Sequence, residues 1–231
     1  MRLALALTGL TLLSACNVVL TKTPLFTAAD AAGAPTLRPG VWRFAEEPGC
    51  KVDESEPLAD WPDCAAGGVA SPTDVVGRKG GVGKDGLERT PIILAAGDPR
   101  VLQAQVSLDI TAGASSSASG AASANVSASA TAPQTSPWGY AGVRPLKHDA
   151  EGRITAFAFW AVRCGPPPPK TSKDDLGLGG TEHPLPGLTM QDNGTDCTTD
   201  SKDVLRNAAR VSEAWEDKPI PIARWVRDGD K

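Results

Sequence analysis

The chain has 231 residues, with 23 basic and 27 acidic side chains, a net charge of −4, 24 glycines and 20 prolines. This mildly acidic balance argues against nucleic acid as a partner and against electrostatic adhesion to anionic lipid. The length suffices for one sizeable domain, and the glycine and proline content predicts that this domain is rich in loops.

The first residues have the pattern of an export signal. Arg2 precedes an apolar run from Leu3 to Leu13. At ~1.5 Å per residue this run covers about half of a hydrocarbon core, so it is too short for a permanent membrane helix. A charged start, a short apolar middle and a small-residue end are typical of a secretory signal peptide, which we predict over residues 1–15.

A cysteine follows the signal directly. Leu13-Ser14-Ala15-Cys16 resembles the lipobox of bacterial lipoproteins, whose cysteine is acylated and becomes the mature N-terminus. The resemblance implies that Cys16 carries acyl chains such as palmitate and ties the chain to a membrane. Because Asn17 is not the aspartate that commonly retains lipoproteins in the inner membrane, a Gram-negative source implies the periplasmic face of the outer membrane. The alternative is an ordinary signal peptide followed by an unrelated cysteine.

Residues 16–39 are predicted to be the lipidated N-terminus and a flexible tether, since they are mostly small, polar or bounded by Pro and Gly. The apolar groups "VVL" and "PLF" within this stretch could dock partly on the domain that follows. Residues 40–231 are predicted to form that domain, which is single and rich in β-structure.

Four further cysteines, Cys50, Cys64, Cys164 and Cys197, predict two disulfide bonds in an exported protein, and three pairings are possible. We favour Cys50–Cys64 and Cys164–Cys197, because the first would staple a loop with almost no apolar content. None of the four lies in a C-x-x-C pair and neither histidine has a ligand-spaced partner, so we expect no metal site and no cofactor.

Apolar or alternating segments bounded by turn residues predict the strands, which lie at 41–44, 91–97, 101–110, 138–146, 153–164 and 222–229. Asp149 and Gly152 supply the turn of the strongest hairpin. The second strand of that hairpin is apolar on both faces, with Trp160 on one and Phe159 on the other. Such a strand occupies a central position in its sheet.

The stretch 111–137 holds no charged residue and is predicted to be a disordered Ala/Ser-rich insertion. After a proline-rich loop, helical spacing predicts a covering helix at about 201–216, capped by Asp200 or Ser201. Its apolar stripe comprises Val204, Leu205, Ala208, Val211 and Trp215. The predicted class is mainly β or α+β: an antiparallel sheet, which could close into a barrel, with one C-terminal covering helix and then a last strand.

Motifs for chemistry are weak. Residues 79–84, "KGGVGK", resemble the phosphate loop of partitioning-type ATPases, but Asp85 stands where a hydroxyl should hold Mg²⁺. We therefore expect no nucleotide. No G-x-S-x-G occurs, and His148 and His183 lie in turn-like sequence, so no catalytic residue is predicted.

Gly40-Val41-Trp42 resembles the G-x-W that opens the first strand of lipocalins, and the C-terminal helix followed by a strand is similar too. That resemblance implies a barrel that carries an apolar small molecule. The body also resembles small envelope lipoproteins of proteobacteria, a resemblance that implies no activity.

The leading hypothesis is a lipid-anchored, non-enzymatic envelope protein, a structural or interaction module that contacts another envelope protein. Its core is then closed and filled together by Trp42, Trp160 and Trp215. The alternative is a lipocalin-like carrier, in which apolar residues line a cavity of at least ~300 Å³. An enzyme of unrecognised type is the third possibility.

Overall fold

The structure is a computed structural model that describes residues 17–46, 49–62, 64–78, 87–106, 136–166, 184–215 and 220–229. Its strands and α-helices are, in chain order, β1 (Leu20–Thr21), α1 (Ala28–Ala31), β2 (Gly40–Glu46), β3 (Ala65–Ala70), β4 (Asp74–Arg78), β5 (Leu87–Ala95), β6 (Arg100–Gln105), β7 (Trp138–His148), β8 (Ile154–Ala161), β9 (Thr189–Met190), β10 (Cys197–Thr198), α2 (Lys202–Ser212) and β11 (Ile222–Arg227). Single 3₁₀ turns lie at Leu58–Asp60 and Glu213–Trp215.

Eight strands close into an antiparallel barrel. From β2 to β8 each strand pairs with the next one along the chain, and β11 then lies between β8 and β2. The short β1 adds to β7 at the barrel's rim, and α2 precedes the closing strand. This confirms the predicted fold class: a mainly antiparallel sheet with a C-terminal helix and then a last strand.

The predicted β7–β8 hairpin forms with the expected turn. Asp149 N–H donates to the carbonyl of Arg153 at 2.9 Å, and its carboxylate accepts from Arg153 N–H at 2.8 Å. Gly152 has φ +79°, a conformation that glycine adopts without strain. The hairpin is central, as its two apolar faces indicate, because each of its strands has neighbours on both sides.

Helix α2 covers the outer face of the barrel wall. Ser201 caps it by accepting a hydrogen bond from Val204 N–H at 3.3 Å. The buried face of the helix comprises Leu205, Ala208, Ala209 and Ser212. Together with the stretches 17–26 and 185–197 it forms an outer core against strands β5 to β8.

Trp160 is wedged between this helix and the wall. It is 1% exposed, and its Nε1 donates to the carbonyl of Ala209 at 2.8 Å. Its partner across β7 is Gly142, where an ideal Cβ would lie 2.3 Å from the indole ring. Trp42 instead lies in the inner core. The expectation of a single core shared by Trp42 and Trp160 is therefore wrong for these two residues, because the barrel wall separates them.

The N-terminal stretch packs on the barrel. Val19 is 0% and Phe26 is 1% exposed. The buried amide of Gln103 accepts from the backbone N–H groups of Leu25 and Phe26, both at 2.8 Å, and donates to the carbonyl of Phe26 at 3.0 Å. The predicted tether over 16–39 is therefore corrected: from residue 17 onward this stretch belongs to the domain, because its apolar side chains complete the outer core.

An ion pair fastens the same stretch to the covering helix. Lys202 Nζ lies 2.7 Å from Asp30 Oδ1. That hydrogen bond and another from the backbone of Thr27 lower the pKa of Asp30 from 3.8 to about 2. The pair therefore stabilises the fold fully above the ordinary pKa of aspartate, and the stabilisation is lost as the pH falls toward 2.

We expect Asp30→Asn to lower the free energy of unfolding by about 1 kcal/mol near neutral pH. Thermal midpoints of the wild type and the variant, measured from neutral pH down to about 2, should converge as the native carboxylate protonates. Asp192→Asn, at an exposed loop position, is the control and should match the wild type. A difference that persists undiminished at the lowest pH would contradict the ion-pair assignment.

Both favoured disulfides form. Cys50–Cys64 and Cys164–Cys197 each have a Cα–Cα distance of 5.8 Å. The first staples the loop that covers the outer side of β2 and β3. That loop does contain apolar groups that pack, since Leu58 is 1% exposed.

Several predicted features lie outside the described residues. They are the signal peptide and Cys16, the motif at 79–84, His183, and the insertion 111–137 except for its last two residues. Among the residues that are described, no helix combines the length and the apolar character needed to cross a membrane.

Candidate functional site

One end of the barrel is plugged by residues 35–39, here called the plug. Leu37 is 5% exposed and belongs to the inner core. The plug lies alongside the start of β8: Ile154 N–H donates to the carbonyl of Thr36 at 2.8 Å, and Arg38 N–H donates to the carbonyl of Ile154 at 2.9 Å. The chain therefore crosses this end of the barrel before it enters the wall.

Two inward-facing indoles hold the plug. Trp42 Nε1 donates to the carbonyl of Arg38 at 2.9 Å, and Trp225 Nε1 donates to the carbonyl of Pro39 at 3.0 Å. The guanidinium carbon of Arg38 lies 3.7 Å from the centre of the Trp225 ring, a stacked cation–π contact. Trp42 and Trp225 thus contact the apolar inner core with their rings and bind the backbone of the plug with their indole N–H groups.

Gly40 makes the connection between the plug and β2 possible. It has φ +129°, and a Cβ there would lie 2.3 Å from the carbonyl oxygen of Arg227. Only glycine fits this approach. The G-x-W sequence thus has a local cause: glycine turns the chain into the wall, and Trp42 two residues later points back to hold the plug.

Two ion pairs lie at the surface of the plugged end. Arg38 Nη2 lies 3.1 Å from Asp228 Oδ1, and Arg153 Nε lies 2.7 Å from Asp149 Oδ2. Burial alone would raise the pKa of Asp149, but hydrogen bonds from the Arg153 side chain and backbone outweigh it and lower this pKa. The charged Asp149 carboxylate therefore stabilises the β7–β8 turn, which lies beside the plug.

The inner wall above the plug is aromatic and fully packed. Residues that pair across antiparallel strands point to the same side of the sheet, and the pairing of Trp42 with Trp225 and of Ala223 with Phe157 identifies the inner face. Trp42 is 0% and Phe157 is 3% exposed, with ring centres 5.4 Å apart. This half of the barrel has a filled core.

In the part of the chain that the structure describes, the inner wall is more exposed toward the other end, where β2, β4, β6 and β8 finish and β7 begins. We call this the open end, a name that refers to the described residues alone. Six apolar residues that face inward at this end are only partly buried: Phe44, Leu102, Ala104, Ala141, Phe159 and Ala161. Polar Thr90 also faces inward there, since it pairs with Val75 of the inner core.

These six side chains form an apolar part of the inner wall. The six side chains have no titratable, nucleophilic or metal-ligating group, and three of them are alanines. Phe159 lies 6.0 Å from Phe157 between ring centres, so the aromatic surface runs from the open end into the filled half.

Sequence reasoning placed only part of this site. It put Trp42 in the core and Phe159 on a buried face, and the structure places both inside the barrel. It did not identify Phe44, Ala104 or Ala141 as lining residues. The alternation of Ala141 and Val143 with Tyr140 and Gly142 along β7 was the available signal, but both faces of that strand are apolar or small. The predicted disulfide cysteines Cys164 and Cys197 lie in the outer core, and His148 is exposed at the end of β7.

Comparisons with protein-family models, with curated proteins and with solved structures gave no match to this chain.

Proposed function

We propose that this chain is a lipid-anchored, non-enzymatic carrier of the bacterial envelope, whose barrel holds an apolar small molecule. One observation carries the proposal: a mainly apolar inner wall that is partly exposed at the open end, with Leu37 of the plug packed against it at the other. A barrel of eight strands can be filled by its side chains or hold one small ligand, as in lipocalins. The partial exposure of Phe44 and Phe159 favours the second arrangement.

The interaction-module hypothesis assumes a closed interior. The division of Trp42 and Trp160 between two cores weakens it, because the large side chains do not combine to fill the barrel. Contact with another envelope protein stays a prediction. A protein that carries a ligand could also make such a contact.

The anchor rests on the lipobox, Leu13 to Cys16. We expect the wild-type protein to be found at the outer membrane. Cys16→Ala removes the acylated sulfur atom, so we expect this variant to lose labelling by a fatty-acid analogue and to lose its attachment to the membrane. Labelling is read by gel fluorescence and attachment by carbonate extraction. Cys16-independent labelling would refute both the anchor and the proposed location.

Ligand binding inside the barrel is tested by introducing a large side chain on its inner wall. Ala141 lies between Leu102 and Ala161 on the inner wall near the open end. We expect Ala141→Phe to weaken binding of the apolar fluorophore N-phenyl-1-naphthylamine at least about tenfold, which corresponds to ~1.4 kcal/mol. The titration uses the chain from Asn17 onward, exported behind a cleavable signal sequence so that it carries no lipid.

Ala150→Phe is the matched control, because Ala150 is exposed in the β7–β8 turn outside the barrel. It adds the same ring and should leave the affinity unchanged. Circular dichroism of both variants must match the wild type. Absence of saturable one-to-one binding by the wild type, or equal affinity in Ala141→Phe, would overturn the carrier proposal.

A further inference from the structure

We propose that Asn193 is a site of spontaneous deamidation, and that the carboxylate formed there weakens the binding of residues 18–20 to the β9–β10 hairpin. The inference is independent of the proposed carrier function. Its basis is the dipeptide Asn193-Gly194 in the loop of that hairpin, together with the hydrogen bonds that the Asn193 amide makes there.

The reaction needs only water. The backbone nitrogen of Gly194 loses its proton to water and attacks Cγ of Asn193, and the bond from Cγ to Nδ2 breaks. Ammonia leaves with a proton taken from water, and a succinimide ring remains. Water then opens this ring at one of its two carbonyl carbons. Opening at Cγ gives aspartate and opening at the backbone carbonyl gives isoaspartate, so either product carries one new negative charge.

Asn193 is suited to this chemistry by its neighbour and its exposure. It is the only asparagine in the chain that is followed by glycine, and both residues are exposed. Gly194 has φ +67°, and beyond its chain neighbours no atom lies within 4 Å of the position of a Cβ. Its N–H donates to the carbonyl of Gln191 at 2.9 Å. The nitrogen is therefore released for attack when this exposed turn opens locally.

The Asn193 amide organises the loop. Its Oδ1 accepts hydrogen bonds from the backbone N–H groups of Thr195 and Asp196, both at 3.0 Å, as in an Asx turn. Its Nδ2 donates to Oδ2 of Asp196 at 2.9 Å. Asp196 is only 8% exposed, so its carboxylate depends on donors that the protein supplies.

Asp196 in turn binds the N-terminal stretch. Its Oδ1 accepts from the backbone N–H of Val18 at 3.3 Å. The next residue, Cys197, donates its N–H to the carbonyl of Val18 at 3.2 Å, and Gln191 Nε2 donates to the carbonyl of Leu20 at 3.1 Å. The hairpin thus binds this stretch through residues at the end of β9 and at the start of β10.

Deamidation replaces an attraction by a repulsion. An oxygen takes the place of the Nδ2 donor, so two carboxylates face each other at hydrogen-bond distance, an arrangement that like charges disfavour. The repulsion acts on Asp196, whose other oxygen binds Val18. Isoaspartate also lengthens the main chain by one methylene group, because its backbone runs through Cγ. A new negative charge beside an acidic group disrupts the contacts of that group.

The first experiment tests the site. The full chain is incubated slightly above neutral pH for several weeks, and peptide mapping with mass spectrometry measures deamidation at each asparagine. We expect deamidation at Asn193 to be at least about tenfold faster than at Asn207, because Asn207 is exposed but is held in the regular backbone of α2. Gly194→Ala places a Cβ beside the attacking nitrogen and should slow the reaction at Asn193. Equal rates at the two asparagines, or an unmodified Asn193, would overturn the assignment.

The second experiment tests the consequence. Asn193→Asp makes the aspartate product directly, and hydrogen exchange is measured at the amides of residues 18–20. We expect these amides to exchange at least about fivefold faster than in the wild type, because the stretch opens more often. The deamidated fraction of the aged protein, separated by anion exchange, should behave in the same way.

Asn207→Asp is the matched control. It adds the same charge at an exposed position of α2 and should leave exchange at residues 18–20 unchanged. Exchange at the wild-type rate in Asn193→Asp, or equal acceleration in the two variants, would show that the charge at residue 193 does not act on the N-terminal stretch.

Discussion

Replacing Trp160 with alanine is expected to lower the free energy of unfolding by about 3–5 kcal/mol. The substitution empties the space between the barrel wall and α2, and it leaves the carbonyl of Ala209 without the indole donor that it meets at 2.8 Å. For a chain of this size the loss corresponds to a fall in the thermal midpoint on the order of 10 °C. Calorimetry of the unlipidated chain measures it.

Trp160→Phe is the graded control, since it keeps most of the ring volume and removes only the hydrogen bond; it should cost roughly a third as much. Because Trp160 lies outside the barrel, binding of the naphthylamine probe should persist in the alanine variant below its midpoint. A midpoint unchanged from the wild type would mean that the outer core does not support the wall.

The second large effect is expected from the disulfide in the outer core. Cys164 and Cys197 are both fully buried, and their bridge spans a sequence separation of 33. The chain-entropy relation for a loop of that length predicts a loss of about 3–4 kcal/mol when both cysteines are changed to alanine. Thermal unfolding and hydrogen exchange measure the effect.

The double variant Cys50→Ala with Cys64→Ala is the comparison. It opens a shorter loop, with a separation of 14, and should cost about 3 kcal/mol. Only the loss of Cys164–Cys197 should speed exchange at residues 18–21, because that bridge lies where Val18 accepts from Cys197 N–H. Equal protection of this segment in both variants would show that the N-terminus is held by other contacts.

The sequence predicted those elements in which local pattern and tertiary position agree. Strands β7 and β8 have strong apolar character and an Asp–Gly turn, and α2 has a clear apolar stripe with a serine cap. β3 and β4 were missed because Gly67, Gly68 and Gly77 interrupt any alternation of apolar residues. These glycines hide a strand pair that has only short side chains on parts of its surface.

The candidate site was harder to predict for a related reason. A barrel wall covered on its outside by a helix and a packed N-terminal stretch is apolar on both faces, so period-two alternation cannot tell the inner face from the outer one. Phe159 and Trp160 are adjacent in sequence and equally apolar, yet one lines the barrel and the other supports α2. Only the strand register separates them.

The position of β11 governs the order in which the barrel can be completed during folding. Strands β2 to β8 can assemble as successive hairpins, but β2 and β8 each keep one unpaired edge until β11 is added. The indole of Trp225, on that closing strand, bonds to Pro39 186 positions earlier. Until then the sheet has two edges able to pair with other chains, and the long-range contact makes closure the slow step. A late-closing sheet with two exposed edges is thus built into the topology.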